Sequence, residues 1–115
     1  TADSIQDNTE RRQFSRRSAR WVATITTRDK VIVPCRTRDI SERGASIESP
    51  ADFRANALVI LEIVSFYKGR KKTFKMLAEI KHSAIAKEGF TLGIYFKDAN
   101  EATLKFFQNY AENII

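Results

Sequence analysis

The sequence predicts a small antiparallel β-barrel closed by a C-terminal helix, and three observations carry that expectation. Short runs of alternating apolar, β-branched and aromatic residues recur through residues 20–97, with turn signals between them. After Asn100 the apolar period lengthens to that of a helix, with Leu104, Phe107, Ala111 and Ile114 on one stripe. The 115 residues supply one modest core and not two.

Residues 1–10 are polar with one large apolar side chain and read as a flexible tail. Residues 11–115 read as one domain, with the barrel over about 20–97 and the helix over about 100–113. A flexible Arg-rich arm follows the tail and leads up to the barrel, and Trp21–Thr26 alternates as the first strand. The turn at residues 27–30 leads into a second strand, residues 31–37, where Pro34 cannot donate to a ladder and predicts an edge position or a bulge. Asp39 to Gly44 is a polar turn, and Ala45–Glu48 begins a third strand that ends near Pro50. Residues 52–56 read as irregular or a short helical turn. Residues 58–64 are apolar on both faces for part of their length and suit a central strand. A turn around Lys68-Gly69-Arg70 precedes residues 74–81, where Phe74, Met76, Ala78 and Ile80 share a face. Gly89 marks a further hairpin, and residues 90–96 close the β region. Asn100 or Asp98 can cap the helix, whose stripe Phe106 and Tyr110 widen so that it covers an opening or edge of the barrel.

A net charge of +6 and an isoelectric point near 9.7 favour an anionic partner. The distribution is more telling than the sum, because residues 11–20 hold five Arg and no Lys. The planar guanidinium fork suits bidentate contact to phosphate and stacking on bases, whereas an ammonium is a point charge. Cys35 is the single cysteine, which excludes an intramolecular disulfide and makes a reducing, cytoplasmic compartment the expectation. Beside Pro34 it reads as a small strand residue. The longest apolar run, residues 57–64, is interrupted by Glu62 and too short to span a bilayer, so no membrane insertion is expected. One His and one Cys cannot supply a usual zinc set, and no Gly-rich phosphate loop or nucleophile elbow is present. The chain therefore reads as a binding protein without a cofactor and not as an enzyme.

Two segments carry the binding chemistry. In Asp39-x-Ser41-x-x-Gly44 the plain reading is a self-capping turn closed by a glycine at positive φ. The functional reading presents a carboxylate that accepts from the guanine N1 and N2 protons and a hydroxyl for a phosphate oxygen, with Gly44 leaving room for close ligand approach. In the arm, Arg12-x-x-x-Arg16 and Arg16-x-x-x-Arg20 both fit a pair that grips two phosphates or a guanine O6/N7 edge, while a basic arm for nonspecific phosphate contact is the plain alternative.

The segments Glu10-Arg11-Arg12-Gln13-Phe14-Ser15-Arg16 and Arg38-Asp39-Ile40-Ser41-Glu42-Arg43-Gly44-Ala45 stand in order with two strands between, and Leu92-Gly93-Ile94-Tyr95-Phe96 follows. Over about residues 10–110 the chain resembles PilZ domains, the bacterial receptors for cyclic di-GMP, which show an RxxxR motif, a [D/N]xSxxG turn and a late Leu-Gly-x-x-Phe strand. The resemblance implies a six-stranded barrel that binds cyclic di-GMP on its outer surface and relays binding to a protein partner. Its register selects Arg12 and Arg16 for phosphate and guanine, and Asp39, Ser41 and Gly44 for the other guanine and the sugar-phosphate. Arg11, before the pair, leans towards a stacked ligand pair. Arg17, for stacking on a purine, Arg43, within the turn, and His82, near a strand-end contact, are secondary candidates. His82 reads first as a surface residue.

Two rivals stand beside this reading. A barrel that binds single-stranded nucleic acid would need several exposed aromatics on one sheet face, which the aromatic spacing disfavours. An adaptor with a vestigial nucleotide site is the other, and the Lys68–Lys75 cluster is either a solvated hairpin tip or a surface for an acidic partner.

Overall fold

Alternation along the strands builds the molecule from the inside out. The computed structural model describes residues 15–113, which form strands β1 (Arg17–Ser18), β2 (Val22–Thr26), β3 (Ile32–Ile40), β4 (Gly44–Ser49), β5 (Leu58–Tyr67), β6 (Arg70–Ala86) and β7 (Gly89–Asp98), then helix α1 (Glu101–Ala111). Ala23 and Ile25 of β2, Val59, Leu61 and Ile63 of β5, and Phe74, Met76, Ala78 and Ile80 of β6 are buried, as are Leu92, Ile94 and Phe96 of β7. A period of two puts each set on one face, and that face is the barrel interior.

The neighbour order is β1-β3-β2-β5-β6-β7-β4, and a further β3–β4 pairing closes β2 to β7 into a six-stranded antiparallel ring. Closure leaves no long free edge. Pro34 occupies the edge position expected of it. Thr37 N–H donates to the Trp21 carbonyl, so residues of Thr37's parity bond towards β2 and the Pro34 nitrogen faces the other way. On that side β4 registers with β3 only from Arg36 onward. Strand β5 lies between β2 and β6, central as expected. Its second face is the barrel exterior, where Leu58 and Ile60 are exposed. Strand β6 runs well beyond the expected residues 74–81 at both ends, pairing with β5 down to Arg70 and with β7 up to Ala86. Those extensions carry no regular apolar alternation, which is why periodicity missed them.

The largest departure concerns the arm. It was expected to be flexible up to the barrel, yet β1 pairs with the end of β3, Arg17 opposite Ile40 and Ser18 opposite Asp39. Thr37 is the cause: its buried hydroxyl donates to the Ala19 carbonyl and accepts from the Trp21 N–H, and Ala19 N–H donates to the Arg38 carbonyl. A buried hydroxyl with both capacities used holds this stretch against β3.

The starts of β2, β4 and β6 and the ends of β3, β5 and β7 share one end of an antiparallel barrel, and α1 closes that end. Asn100 caps the helix, its Oδ1 accepting from Thr103 N–H at 2.8 Å. Phe107 is fully buried against Phe74 and Phe96, with ring centroids 4.8 and 5.2 Å away. Tyr110 packs 4.7 Å from Trp21 and 4.9 Å from Tyr67. Trp21 and Phe74 are core residues, while Phe66 is exposed. The expected stripe residue Ile114 lies outside the described residues. No helix among them is long and apolar enough to cross a membrane.

Candidate functional site

The β1–β3 pairing brings Arg16, the last residue of the arm motif, to the Asp39 turn. Because Ser18 sits opposite Asp39, the chain entering β1 runs past the end of β3, and Arg16 Nη1 donates to Asp39 Oδ1 at 2.7 Å. Both side chains keep solvent contact, 48% and 33% exposed. Such a pair contributes about 0.2–1 kcal/mol, so either partner can be exchanged cheaply.

From Asp39 the strand registers define a row across the barrel exterior: Asp39 lies opposite Ser46, Ser46 opposite Gly93, and Gly93 opposite His82. Four strands at ~4.8 Å spacing put His82 roughly 14 Å from Asp39. The two residues between, Ser46 and Gly93, are the smallest in the row. The imidazole of His82 occupies the space above Gly93, where any side chain would overlap it. A concavity of ≈ 230 Å³ meets this row at Gly93 and His82 and extends to Arg16, lined by Arg16, Ser41, Arg43, Gly44, Lys81, His82, Gly93, Ile94 and Tyr95. Three of its walls are cationic, Arg16, Arg43 and Lys81, and the acids beside them, Asp39 and Glu79, are engaged by Arg16 and by Lys81. The arrangement offers an imidazole backed by Gly93, cations at its margin and an exchangeable carboxylate, which suits a planar base carried on an anionic backbone.

The candidates divide accordingly. Arg16, Asp39, Ser41, Gly44, Arg43 and His82 converge on this surface. Arg11 and Arg12 lie outside the described residues. Arg17 faces other neighbours: its guanidinium lies 4.4 Å from the Tyr110 ring and 5.2 Å from the Tyr67 ring, and Nη1 donates to Tyr67 Oη and to the Tyr110 carbonyl. The Tyr67 hydrogen bond raises the Arg17 pKa further. Arg17 is therefore a tie between β1 and α1, where purine stacking was expected of it. The Tyr110 hydroxyl closes the same tie by donating to the Ser18 carbonyl at 2.7 Å, and burial pushes its pKa up.

Within the turn, Ser41 is buried and spends its hydroxyl on the Gly44 carbonyl at 3.1 Å, while its N–H donates to the same oxygen. The expected outward hydroxyl is thus a turn-closing group here. Gly44 does not take the positive φ of the plain reading; among the described residues the glycines that do are Gly69 and Gly89. A methyl group at Gly44 would instead overlap the Ile94 carbonyl oxygen of β7, so the glycine is required by close strand approach. Lys81, Gly93 and Tyr95 line the concavity and were not foreseen as site residues. Outward parity on their strands marks them, but their convergence depends on register across four strands. Cys35 is half-buried, and burial raises its thiol pKa, in keeping with a packing residue.

Comparison with solved structures confirms the architecture. The Bacillus subtilis inhibitor of motility (MotI/DgrA) superposes with a TM-score of 0.78 at 14% identity over 90% of this chain, which spans 50% of that chain. The PilZ domain of Escherichia coli YcgR, solved with c-di-GMP, gives 0.67 at 16% identity, covering 90% of this chain and 91% of that one. The PilZ domain of CeSA from a cellulose-synthesizing bacterium gives 0.57 at 19% identity, covering 86% and 96%. A search of curated protein sequences found no match. At the level of sequence, the PilZ domain family model matches residues 10–113, nearly the whole chain. The barrel and its C-terminal helix are thus those of a family member: the chain belongs to the PilZ domain family.

Proposed function

We propose that this domain is a receptor for cyclic di-GMP that acts as a binding switch and not as a catalyst. The observation that carries the reading is the Arg16–Asp39 pair at 2.7 Å at one end of a row on the barrel exterior whose other end is His82, seated over Gly93. Membership of the PilZ family and the shared fold with a domain solved with c-di-GMP support the ligand class. Arg12 and Arg16 hold phosphate and a guanine edge. Asp39 accepts from guanine N1 and N2, giving up an exposed ion pair of about 0.2–1 kcal/mol in exchange. Gly44 and Ser41 hold the turn in shape, and His82 flanks the base over Gly93.

The ligand carries two negative charges and the arm carries a cluster of arginines, so binding relieves repulsion among them and fixes residues before β1 against the turn. The population shifts only as far as the ligand favours the docked form, and a protein partner reads the result. A stacking platform for single-stranded nucleic acid is disfavoured by the aromatics. Tyr95 lies in register with Leu58 through Glu79, so exposed Phe66 is eight residues further along β5, roughly 26 Å away at the usual strand rise.

Titrating the isotope-labelled chain with cyclic di-GMP tests the assignment by nuclear magnetic resonance. Amide shifts are expected at Arg16, Asp39, Gly44, Ser46, His82 and Gly93, and Arg12→Ala or Asp39→Ala should weaken binding at least about tenfold, the scale of a lost charge-assisted contact. Shifts confined to other surfaces, or variants that bind as tightly as the parent, would move the site elsewhere.

A further inference from the structure

A second concavity, ≈ 490 Å³, lies between the β5–β6 hairpin and α1 and is lined by Tyr67, Lys68, Arg70, Lys71, Lys72 and Phe106. It shares no lining residue with the concavity beside Asp39. The charge around it is one-sided: residues 63–78 carry Lys68, Arg70, Lys71, Lys72 and Lys75 and no Asp or Glu. Elsewhere on the surface Arg16, Arg20, Arg38, Lys81 and Lys97 each meet a carboxylate, but among the described residues none of the four cations lining this pocket does.

Two of these cations, Lys68 and Lys72, do not simply splay into water as at an ordinary hairpin tip. Lys72 Nζ lies 5.4 Å from the Phe106 ring and 5.9 Å from the Phe74 ring, and Lys68 Nζ lies 5.4 Å from the Tyr67 ring. The Lys68 and Lys72 ammonium groups thus lie against an aromatic floor, with Arg70 and Lys71 at the rim. The tip itself is a two-residue turn, Lys68 and Gly69 at φ 51° and 76°, the left-handed geometry that matches strand twist and fixes the hairpin. A fixed, concave, cation-rimmed site with an apolar floor complements one chemistry best, an acidic polypeptide segment carrying an apolar side chain.

Two other anions fit less well. A bilayer is flat and cannot enter a concavity, and a single strand needs open ring faces for successive bases. Here Phe106 is packed against Phe74 and Phe107 with Lys72 above it, and Tyr67 stands edge-on to Tyr110 at 87°.

We propose that this pocket docks an acidic segment of a partner protein, with an apolar side chain against Phe106 and Tyr67 and flanking carboxylates on Arg70, Lys71 and Lys72. The proposal goes beyond the nucleotide reading and does not rest on it. The test is fluorescence anisotropy of a labelled peptide, a central Phe flanked on both sides by Asp and Glu, titrated with the full chain at low and at physiological salt.

Saturable binding is expected that weakens with salt, falls at least about tenfold in a Lys71→Glu/Lys72→Glu double variant, and falls again when the peptide Phe is replaced by Ala. Both lysines are exposed, so thermal unfolding of the double variant should match the parent. Its amide response to cyclic di-GMP should also be that of the parent, whatever that response is. The proposal is overturned if the peptide does not bind, if the double variant binds it equally well, or if the Ala peptide binds as tightly as the Phe peptide. Preferential capture of anionic lipid vesicles or oligothymidylate through these lysines would overturn it as well.

Discussion

Gly44 shows how far a single residue's meaning depends on the strand beside it. In the sequence it closes an Asp-x-Ser-x-x-Gly turn, and either a positive φ or ligand approach would account for it. The structure gives a third reason, contact with the Ile94 carbonyl of β7. A backbone oxygen inside a ladder cannot rotate away as a side chain can, so Gly44→Ala should cost about 1–3 kcal/mol, the range for overpacking a filled site. Urea unfolding measures it, and a loss below about 0.5 kcal/mol, the usual scatter of neutral surface changes, would show that β4 and β7 can separate there freely. Asp39 and Arg16 were legible from their motifs because charge and spacing are local properties. Ser46, Gly93 and His82 were not legible as a set, since only the registers of β3 with β4, β4 with β7 and β7 with β6 put them in one row.

Among the elements, the strands and the helix were readable wherever burial imposed a period. Residues 74–80 and the Phe107 stripe announced themselves, and Asn100 announced the helix start. The ends of β6 and the short β1 did not, because their pairing comes from hydrogen-bond partners and not from apolar alternation. Strand β1 is held by Thr37 behind it and by Arg17 in front, whose guanidinium ties it to Tyr67 and Tyr110. That tie lies one residue from Arg16, so the arm and α1 share a support. Arg17→Ala should speed amide hydrogen exchange in β1 and in the last turn of α1 while leaving β5 and β6 protected. Arg17→Lys should restore little of the protection, since an ammonium cannot bond Tyr67 Oη and the Tyr110 carbonyl while lying flat on the Tyr110 ring. Unchanged exchange in β1 would mean that Thr37 alone holds it.

At the scale of the whole molecule, a closed barrel with one end stoppered by α1 leaves its outer wall as a rigid platform. Two concavities of different character sit apart on the molecule and share no lining residue. One adjoins a row with an exchangeable ion pair, suited to a planar anionic ligand; the other is a cation-rimmed pocket against the helix. The net charge of +6 favours approach of anions to both, so both affinities should fall with salt.

The central claim is that the arm arginines and Asp39 form one cyclic di-GMP site, and isothermal titration calorimetry at physiological salt tests it most directly. The expected result is saturable heat with cyclic di-GMP, lost with Asp39→Ala and absent for a single-stranded oligonucleotide of equal charge. No saturable heat at ligand concentrations of about tens of micromolar, the weak end of small-ligand recognition, or equal heat from the oligonucleotide, would contradict it.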